Sequence, residues 1–280
     1  MKLLNATIPI DCDIALISDT HKGAKASYDK GINKVIRWVK AKENRYYCHL
    51  GDEQEARTID HPYYDANTSE LATPMQLVYD VAEQFEPIAD SCLCWLYGNH
   101  PASLSRFGNL TEMLCERIRV PYGTTTCILT LNNPKGKQMF KMFLWHPFNL
   151  TISTIAKDYE QGQANMKARL KKAMQAKASD CLVMACGHTH KLIVVPPAEK
   201  LIMRSDGQHL QQAYLRQGDG TSEYIEPDRR WYCNTGSFLR TYLPDADTYS
   251  EKAGYDPVEM GYCVVKIRDG VLADIERVVV

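Results

Sequence analysis

The sequence predicts one α/β domain spanning residues 1–280, with a parallel sheet in its first half and a second, largely antiparallel sheet after it. The first half alternates short apolar runs with amphipathic ones. The second is rich in strands separated by hairpin turns, and no low-complexity linker or internal repeat divides the two.

The elements follow in order. "DIALIS" (13–18) reads as a buried strand, and Ile32, Val35, Ile36 and Val39 then recur at the three- and four-residue spacing of a helix. "YYCHL" (46–50), a helix from Pro74 to Phe85 and "SCLCWLY" (91–97) repeat the alternation, and a helix over 109–119 is capped by Asn109 or Thr111. Next, "TTTCILTL" and "QMFKMFLW" flank the turn "NNPKGK", and "GQANMKARLKKAMQAKAS" is a helix ahead of the strand "CLVMAC". The runs "KLIVVPP", "LIMRSDGQHLQQAYL", "RRWYCN" and "YCVVKIRDGVLADIERVVV" are all strand-like.

A content of 45% hydrophobic and 24% charged residues is that of an ordinary soluble globule, and a formal net charge of −1 argues against bulk electrostatic coating of nucleic acid or membrane. The apolar stretch of "MKLLNATIPIDCD" breaks at Asn5, so no signal-peptide core forms, and no run approaches the roughly 18 apolar residues of a spanning helix. A cytoplasmic protein without membrane partners is expected. Of its cysteines, Cys48, Cys92, Cys94, Cys181 and Cys186 lie in apolar runs and no CxxC pair occurs, so reduced, buried thiols are expected.

Polar residues stand where the buried strands stop. "IALISDTH" ends in Asp19 and His21, "YYCHLGD" in Asp52, "CLCWLYGNH" in Asn99 and His100, "MFLWH" in His146, and "CLVMACGHTH" in His188 and His190. Ligands gather at the carboxyl ends of strands in α/β sheets, so these groups are placed to converge. Taken alone, each Asp reads as a turn or cap residue and each His as an ordinary hydrogen-bonded one. Five strand ends showing the same pattern point to a common site. Asp, Asn and neutral His form an oxygen and nitrogen ligand set without thiolate, which suits Mn²⁺, and also Fe or Zn²⁺. Seven ligands exceed what one tetrahedral ion uses, which implies two divalent metal ions sharing a carboxylate.

In this order, "DTH", "GDEQE", "GNH", "WHP" and "GHTH" resemble the five blocks of the calcineurin-like metallophosphoesterases, and "NTGS" (234–237) resembles a further block. The resemblance implies a two-sheet αββα sandwich. It implies that Asp19, His21, Asp52 and His190 hold one metal, and that Asp52, Asn99, His146 and His188 hold the other. It also makes His100 the general acid for the leaving group, in a reaction where water held between the ions attacks phosphorus in line. The family usually follows this histidine with a carboxylate, where this chain has Pro101. Glu55, three residues beyond Asp52, is the natural substitute; its other reading is a solvated or capping side chain.

The substrate is less legible. The polar segment 55–74 carries Tyr63 and Tyr64, which read either as base-stacking groups or as loop packing. Lys22, Lys25, Arg57, Arg106 and Lys191 lie near the ligands, and Lys167, Arg169, Lys171, Lys172 and Lys177 crowd one helix. The stretches 98–123 and 234–262 resemble small phage or mobile-element members of the family. The expected substrate is a nucleic acid or nucleotide phosphodiester, as for a nuclease or phosphodiesterase. A phosphomonoesterase acting on protein or metabolites is the alternative, and a non-catalytic scaffold a third reading.

Overall fold

The structure, a computed structural model, describes the whole chain except residues 61–63, 67, 71 and 154 and the side chain of residue 249. Tyr63 therefore lies outside the described residues. The first half contains β1 (Lys2–Thr7), β2 (Cys12–Ile17), α1 (Asp29–Lys40), β3 (Arg45–His49), α2 (Pro74–Phe85), β4 (Cys92–Trp95), α3 (Asn99–Ala102) and α4 (Leu110–Ile118). The second contains β5 (Thr126–Asn132), β6 (Gln138–Trp145), α5 (Tyr159–Met174), β7 (Val183–Cys186), β8 (Leu192–Val195), β9 (Leu201–Ser205), β10 (Leu210–Tyr214), β11 (Trp231–Thr235), α6 (Tyr249–Lys252), β12 (Gly261–Arg268) and β13 (Val271–Val279).

Two mixed sheets result. One has the order β13-β12-β2-β3-β4, the other β1-β5-β6-β7-β11-β8, and β9 and β10 form a separate two-stranded ribbon. The expected parallel trio β2, β3 and β4 is present, but the last two strands of the chain return to it, with β12 antiparallel to β2. The second sheet corrects the reading from sequence. It is not largely antiparallel: β1 runs parallel to β5, and β6, β7 and β11 are mutually parallel. The reason is α5, which carries the chain from the end of β6 back to the start of β7, a crossover that a short hairpin cannot replace.

The helices form where sequence-local chemistry favours them. Pro74 opens α2 behind Thr73, whose hydroxyl accepts the Gln76 amide, and Asn109 caps α4 by accepting the Glu112 amide at 3.1 Å. Helices α1, α2 and α4 pack Ile32, Val35, Val78, Val81 and Leu114 against Ala15, Ile17, Tyr47 and Trp95 of the first sheet. Met166, Leu170 and Met174 of α5 cover Phe143, Met184 and Tyr232 of the second. Between the sheets, Ile14, Leu16, Cys48 and Leu50 face Leu129, Met142, Leu144 and Ala185. The layering is thus helix, sheet, sheet, helix. All ten cysteines are free and buried, and among the described residues no helix is long and apolar enough to cross a membrane.

His49 shows what burial in this core costs. It is fully buried, stacked on Trp95 with ring centroids 4.4 Å apart, and its Nε2 lies 3.2 Å from the Thr20 hydroxyl. Burial pulls its pKa down to about 3. The unfolded chain takes up a proton near pH 6.5 that the folded chain refuses, so the stability contributed by neutral His49 is complete above that pH and is lost as pH falls below it. In urea unfolding, the stability difference between wild type and His49→Gln should therefore shrink by about 2 kcal/mol between pH 7.5 and pH 5. A difference independent of pH would mean that His49 is not kept neutral.

Candidate metal centre

The polar residues at the ends of β2, β3, β4, β6 and β7 meet because the backbone there takes conformations that ordinary strands avoid. Asp19 (φ 53°), His21 (φ 46°), Asp52 (φ 53°), His188 (φ 77°) and His190 (φ 57°) all lie in the left-handed region. Each costs on the order of 1 kcal/mol or more, a strain typical of functional sites held by their surroundings. Glycine removes the steric obstacle between the strand ends. A Cβ on Gly98 would lie 2.1 Å from Asp52 Oδ1, one on Gly51 would meet His146 Nδ1 at 2.5 Å, and one on Gly187 would meet Leu50 O at 3.0 Å.

Two clusters form. In the first, Asp19 Oδ1 lies 3.2 Å from His190 Nε2 and 3.8 Å from His21 Nε2, and the two imidazole nitrogens face each other at 3.3 Å. In the second, Asn99 Oδ1 lies 3.0 Å from His146 Nε2 and 2.8 Å from His188 Nδ1, with Asp52 Oδ2 3.2 Å from His146 Nε2. The structure thus brings together all seven residues expected to bind metal. His188 and His190, two positions apart, point into different clusters. The strand "CLVMAC" delivers one imidazole to each.

The outer atoms orient the inner ones. His146 Nδ1 faces the Leu50 carbonyl at 2.6 Å, and a carbonyl only accepts, so Nδ1 carries the hydrogen and Nε2 presents its lone pair. His21 Nδ1 lies 2.8 Å from Glu55 Oε2, which leaves its Nε2 as the inward atom. Asp19 Oδ2 accepts the His188 amide at 2.9 Å and the Ser18 hydroxyl; Ser18 meets Thr235 at 2.5 Å, and the Ser237 hydroxyl donates to the Asp19 carbonyl at 3.1 Å. The "NTGS" stretch, to which the sequence assigned no role, therefore holds Asp19 in place.

These residues fit divalent cations. Asp19 Oδ1 is fully buried and has no hydrogen-bond partner among the described residues, while two imidazole nitrogens converge on it. The site also favours positive charge. Burial opposes protonation of His21, yet the adjacent Asp19 carboxylate, the hydrogen bond with Glu55 and the charge of Asp52 hold its pKa up at about 10. Burial likewise opposes that of His146, which Asp52 and Asp19 raise to about 9. Three groupings, Asp19 with His21 and His190, His21 with Asp52 and His100, and Asp52 with His146 and His188, have ligand atoms lying mutually within 4.8 Å.

Glu55 is neither solvated nor a cap. Its carboxylate makes its short contact with His21, stands 3.5 Å from His100 Nδ1, and is gripped through Oε1 by Arg57 Nε at 2.9 Å. Burial opposes its ionisation, but His100, His21 and Arg57 outweigh this and hold its pKa down to about 2. The nearer partner of His100 Nδ1 is the Glu55 backbone carbonyl, at 2.8 Å. The imidazole of His100 packs edge-on against His21, with centroids 4.5 Å apart, and its amide donates to Asp52 Oδ1 at 2.9 Å.

A cleft of about 710 Å³ opens over His21, His100, His188 and His190. Of the cations proposed from sequence, Arg57 and Lys191 line it; Lys22 and Arg106 instead pair with Asp29 and Asp60, and Lys25 donates to the Ala66 carbonyl. Within the basic helix, which ends at Met174, Lys171 pairs with Asp228; Lys177 lies beyond its end, over the Trp145 ring. Tyr64 does not line the cleft. Residues the sequence did not single out do: Leu150, Ile152, Leu239, Arg240 and Tyr255. Leu150 and Ile152 follow the "WHP" block closely, and that proximity was the available signal.

Fold and site together define a class, a two-sheet α/β sandwich with adjoining clusters of Asp, Asn and His at its strand ends. In this arrangement the chain resembles the calcineurin-like metallophosphoesterases. No protein-family model and no curated protein sequence matches it. Among solved structures, it is similar to the NAD nucleotidase of Haemophilus influenzae at 13% identity and a TM-score of 0.44, covering 96% of this chain and 50% of that one. It is similar to a calcineurin-like phosphoesterase of Bacillus subtilis at 13% identity and a TM-score of 0.37, covering 96% of this chain and 90% of that one. A conserved Streptococcus pneumoniae protein described as a predicted phosphoesterase shows 11% identity and a TM-score of 0.35, covering 96% of this chain and 98% of that one. These likenesses are distant and do not bear on phage or mobile-element origin.

Proposed function

We propose that the chain, working as one domain over residues 1–280 in the cytoplasm, hydrolyses phosphodiesters of nucleic acid or nucleotides with two divalent ions, Mn²⁺ foremost. The observation that carries this reading is the pair of adjoining clusters, in which oriented imidazoles and an unpartnered buried carboxylate oxygen converge. Asp19, His21, Asp52 and His190 would hold one ion; Asp52, Asn99, His146 and His188 the other. When bound, such ions polarise the phosphoryl group, ready a water for in-line attack and neutralise the developing charge.

The chain's own residues supply the rest. His100 keeps Nδ1 on the Glu55 carbonyl, so Nε2 is the atom left to hand a proton to the departing oxygen. Glu55 ties His21 and His100 together and is itself pinned by Arg57. Leu150, Ile152 and Leu239 give the cleft an apolar wall that limits water beside the reacting phosphate. Ten buried, unpaired thiols agree with a reducing compartment.

Turnover assays with Mn²⁺ on bis-p-nitrophenyl phosphate, p-nitrophenyl phosphate, single- and double-stranded DNA and cyclic nucleotides test the reading. Diester hydrolysis should exceed monoester hydrolysis. The reverse order would make the chain a phosphomonoesterase, and no turnover with both sites loaded would make it a scaffold. His100→Ala should cost about 10²- to 10⁴-fold on poor leaving groups and far less on p-nitrophenyl esters, with metal content intact. Equal losses on both would remove His100 from proton transfer.

A further inference from the structure

The cleft over the metal centre does not end at its wall. A second cavity, of about 850 Å³, adjoins it, and the two share Lys191, Asp256 and Val258 as lining residues. The result is a groove that starts at His21, His100 and His188 and runs past Lys191 to Lys167 and Tyr159 of α5.

The cations along it differ in what they already hold. Arg57 grips Glu55, Arg240 donates to the carbonyls of Lys25, Ala26 and Ser27, and Arg277 pairs with Glu259 at 3.1 Å. Lys191 and Lys167 have no ion-pair partner among the described residues; Asp256 is within electrostatic range of Lys191 but makes no ion pair with it. Lys191 directly follows His190 in the chain and lines both cavities, so it borders the groove where the metal-side cleft passes into the second cavity. Each cavity also has an aromatic ring at its surface, Tyr255 (52% exposed) in the first and Tyr159 (79% exposed) in the second.

Uncommitted cations along a groove with aromatic faces at intervals are what an unpaired nucleic-acid strand requires, since phosphates follow the charges and bases stack on the rings. We propose that the groove binds single-stranded nucleic acid, with Lys191 holding the phosphate next to the scissile one, Lys167 one further along, and Tyr255 and Tyr159 stacking bases. This inference rests on the phosphodiesterase reading and sharpens it, naming an oligonucleotide strand rather than a cyclic nucleotide. The acidic Asp256 and Glu259 in the same groove keep the binding dependent on these few contacts.

The test is equilibrium binding, by fluorescence anisotropy, of labelled oligothymidylates of two to eight nucleotides to the full chain with chelator present, so that nothing is cleaved. Affinity should rise with length until both cavities are filled. Lys191→Ala and Lys167→Ala should each lower the salt slope by roughly 0.7, and Tyr159→Ala should weaken binding by roughly fivefold or more without changing that slope. With Mn²⁺, the preference in kcat/KM for a tetranucleotide over bis-p-nitrophenyl phosphate should fall about tenfold in Lys191→Ala. Binding that does not depend on length, or salt slopes unchanged in both lysine variants, would overturn the proposal. If oligonucleotides behave in this way but no diester is cleaved, the strand groove stands and the catalytic reading fails; if bis-p-nitrophenyl phosphate is cleaved but oligonucleotides bind no better than thymidine monophosphate, the groove fails alone.

Discussion

Asp52→Asn should reduce bound divalent metal from two ions per chain to one or none and lower diester turnover at least about 10³-fold, some 4 kcal/mol of transition-state stabilisation. The carboxylate belongs to two of the candidate groupings, one with His21 and His100 and one with His146 and His188, so it is placed to serve both clusters. Burial opposes its ionisation, yet His146, His100 and His21 hold its pKa below the ordinary carboxylate range. The amide keeps the shape and an oxygen to accept the His100 amide, now 2.9 Å away, so the fold should survive while the charge is lost. Metal analysis after equilibrium dialysis decides the matter. A variant that retains two ions would show that Asp52 is not the shared ligand.

Gly98→Ala should be nearly as damaging although it removes no functional group. The glycine has φ −95°, a conformation any residue adopts, so the effect is purely steric. An added methyl would lie 2.1 Å from Asp52 Oδ1 and 2.2 Å from the Asp52 amide nitrogen, and both are fixed parts of the site. Relief requires the β3 and β4 ends to separate, which moves Asp52 from Asn99 and His100. A displacement near 1 Å costs on the order of 10² in rate, and overpacking costs roughly 1–3 kcal/mol of stability. Turnover at saturating Mn²⁺ together with urea unfolding measures both. Gly136→Ala, at a position where a Cβ meets nothing within 4 Å but the backbone has φ 77°, should cost about 1 kcal/mol of stability through that backbone strain and leave turnover unchanged. Equal behaviour of the two variants would mean that close approach at Gly98 is not what assembles the site.

How much of this was legible before the structure differs from residue to residue. Helix α2 was readable to its ends because Pro74 and the helical spacing of Leu77, Val78, Val81, Ala82 and Phe85 are written within the segment itself. The edge strand β1 was not, since its exposed alternation acquires meaning only beside β5, more than a hundred residues away. The parallel pairing of β6 with β7 was misread for a related reason: hairpin turns are written locally, whereas the direction in which α5 returns the chain is settled by packing against the sheet.

The same division runs through the candidate site. By itself the sequence determined which chemistry stands at the strand ends, because an apolar run halting at Asp, Asn or His is a local pattern and its recurrence at five strand ends in family-like order is a property of the chain alone. Only the tertiary structure decided that His188 and His190 serve different clusters, that Glu55 spends its short contact on His21 rather than His100, and that Ser18, Thr235 and Ser237 hold Asp19. Left-handed backbone at five of the candidate ligands and the methyl-free approach at Gly98 were equally beyond local reading. Such conformations are unfavourable in isolation, and they persist because two sheets pressed together over a common core leave the strand ends no other place to go.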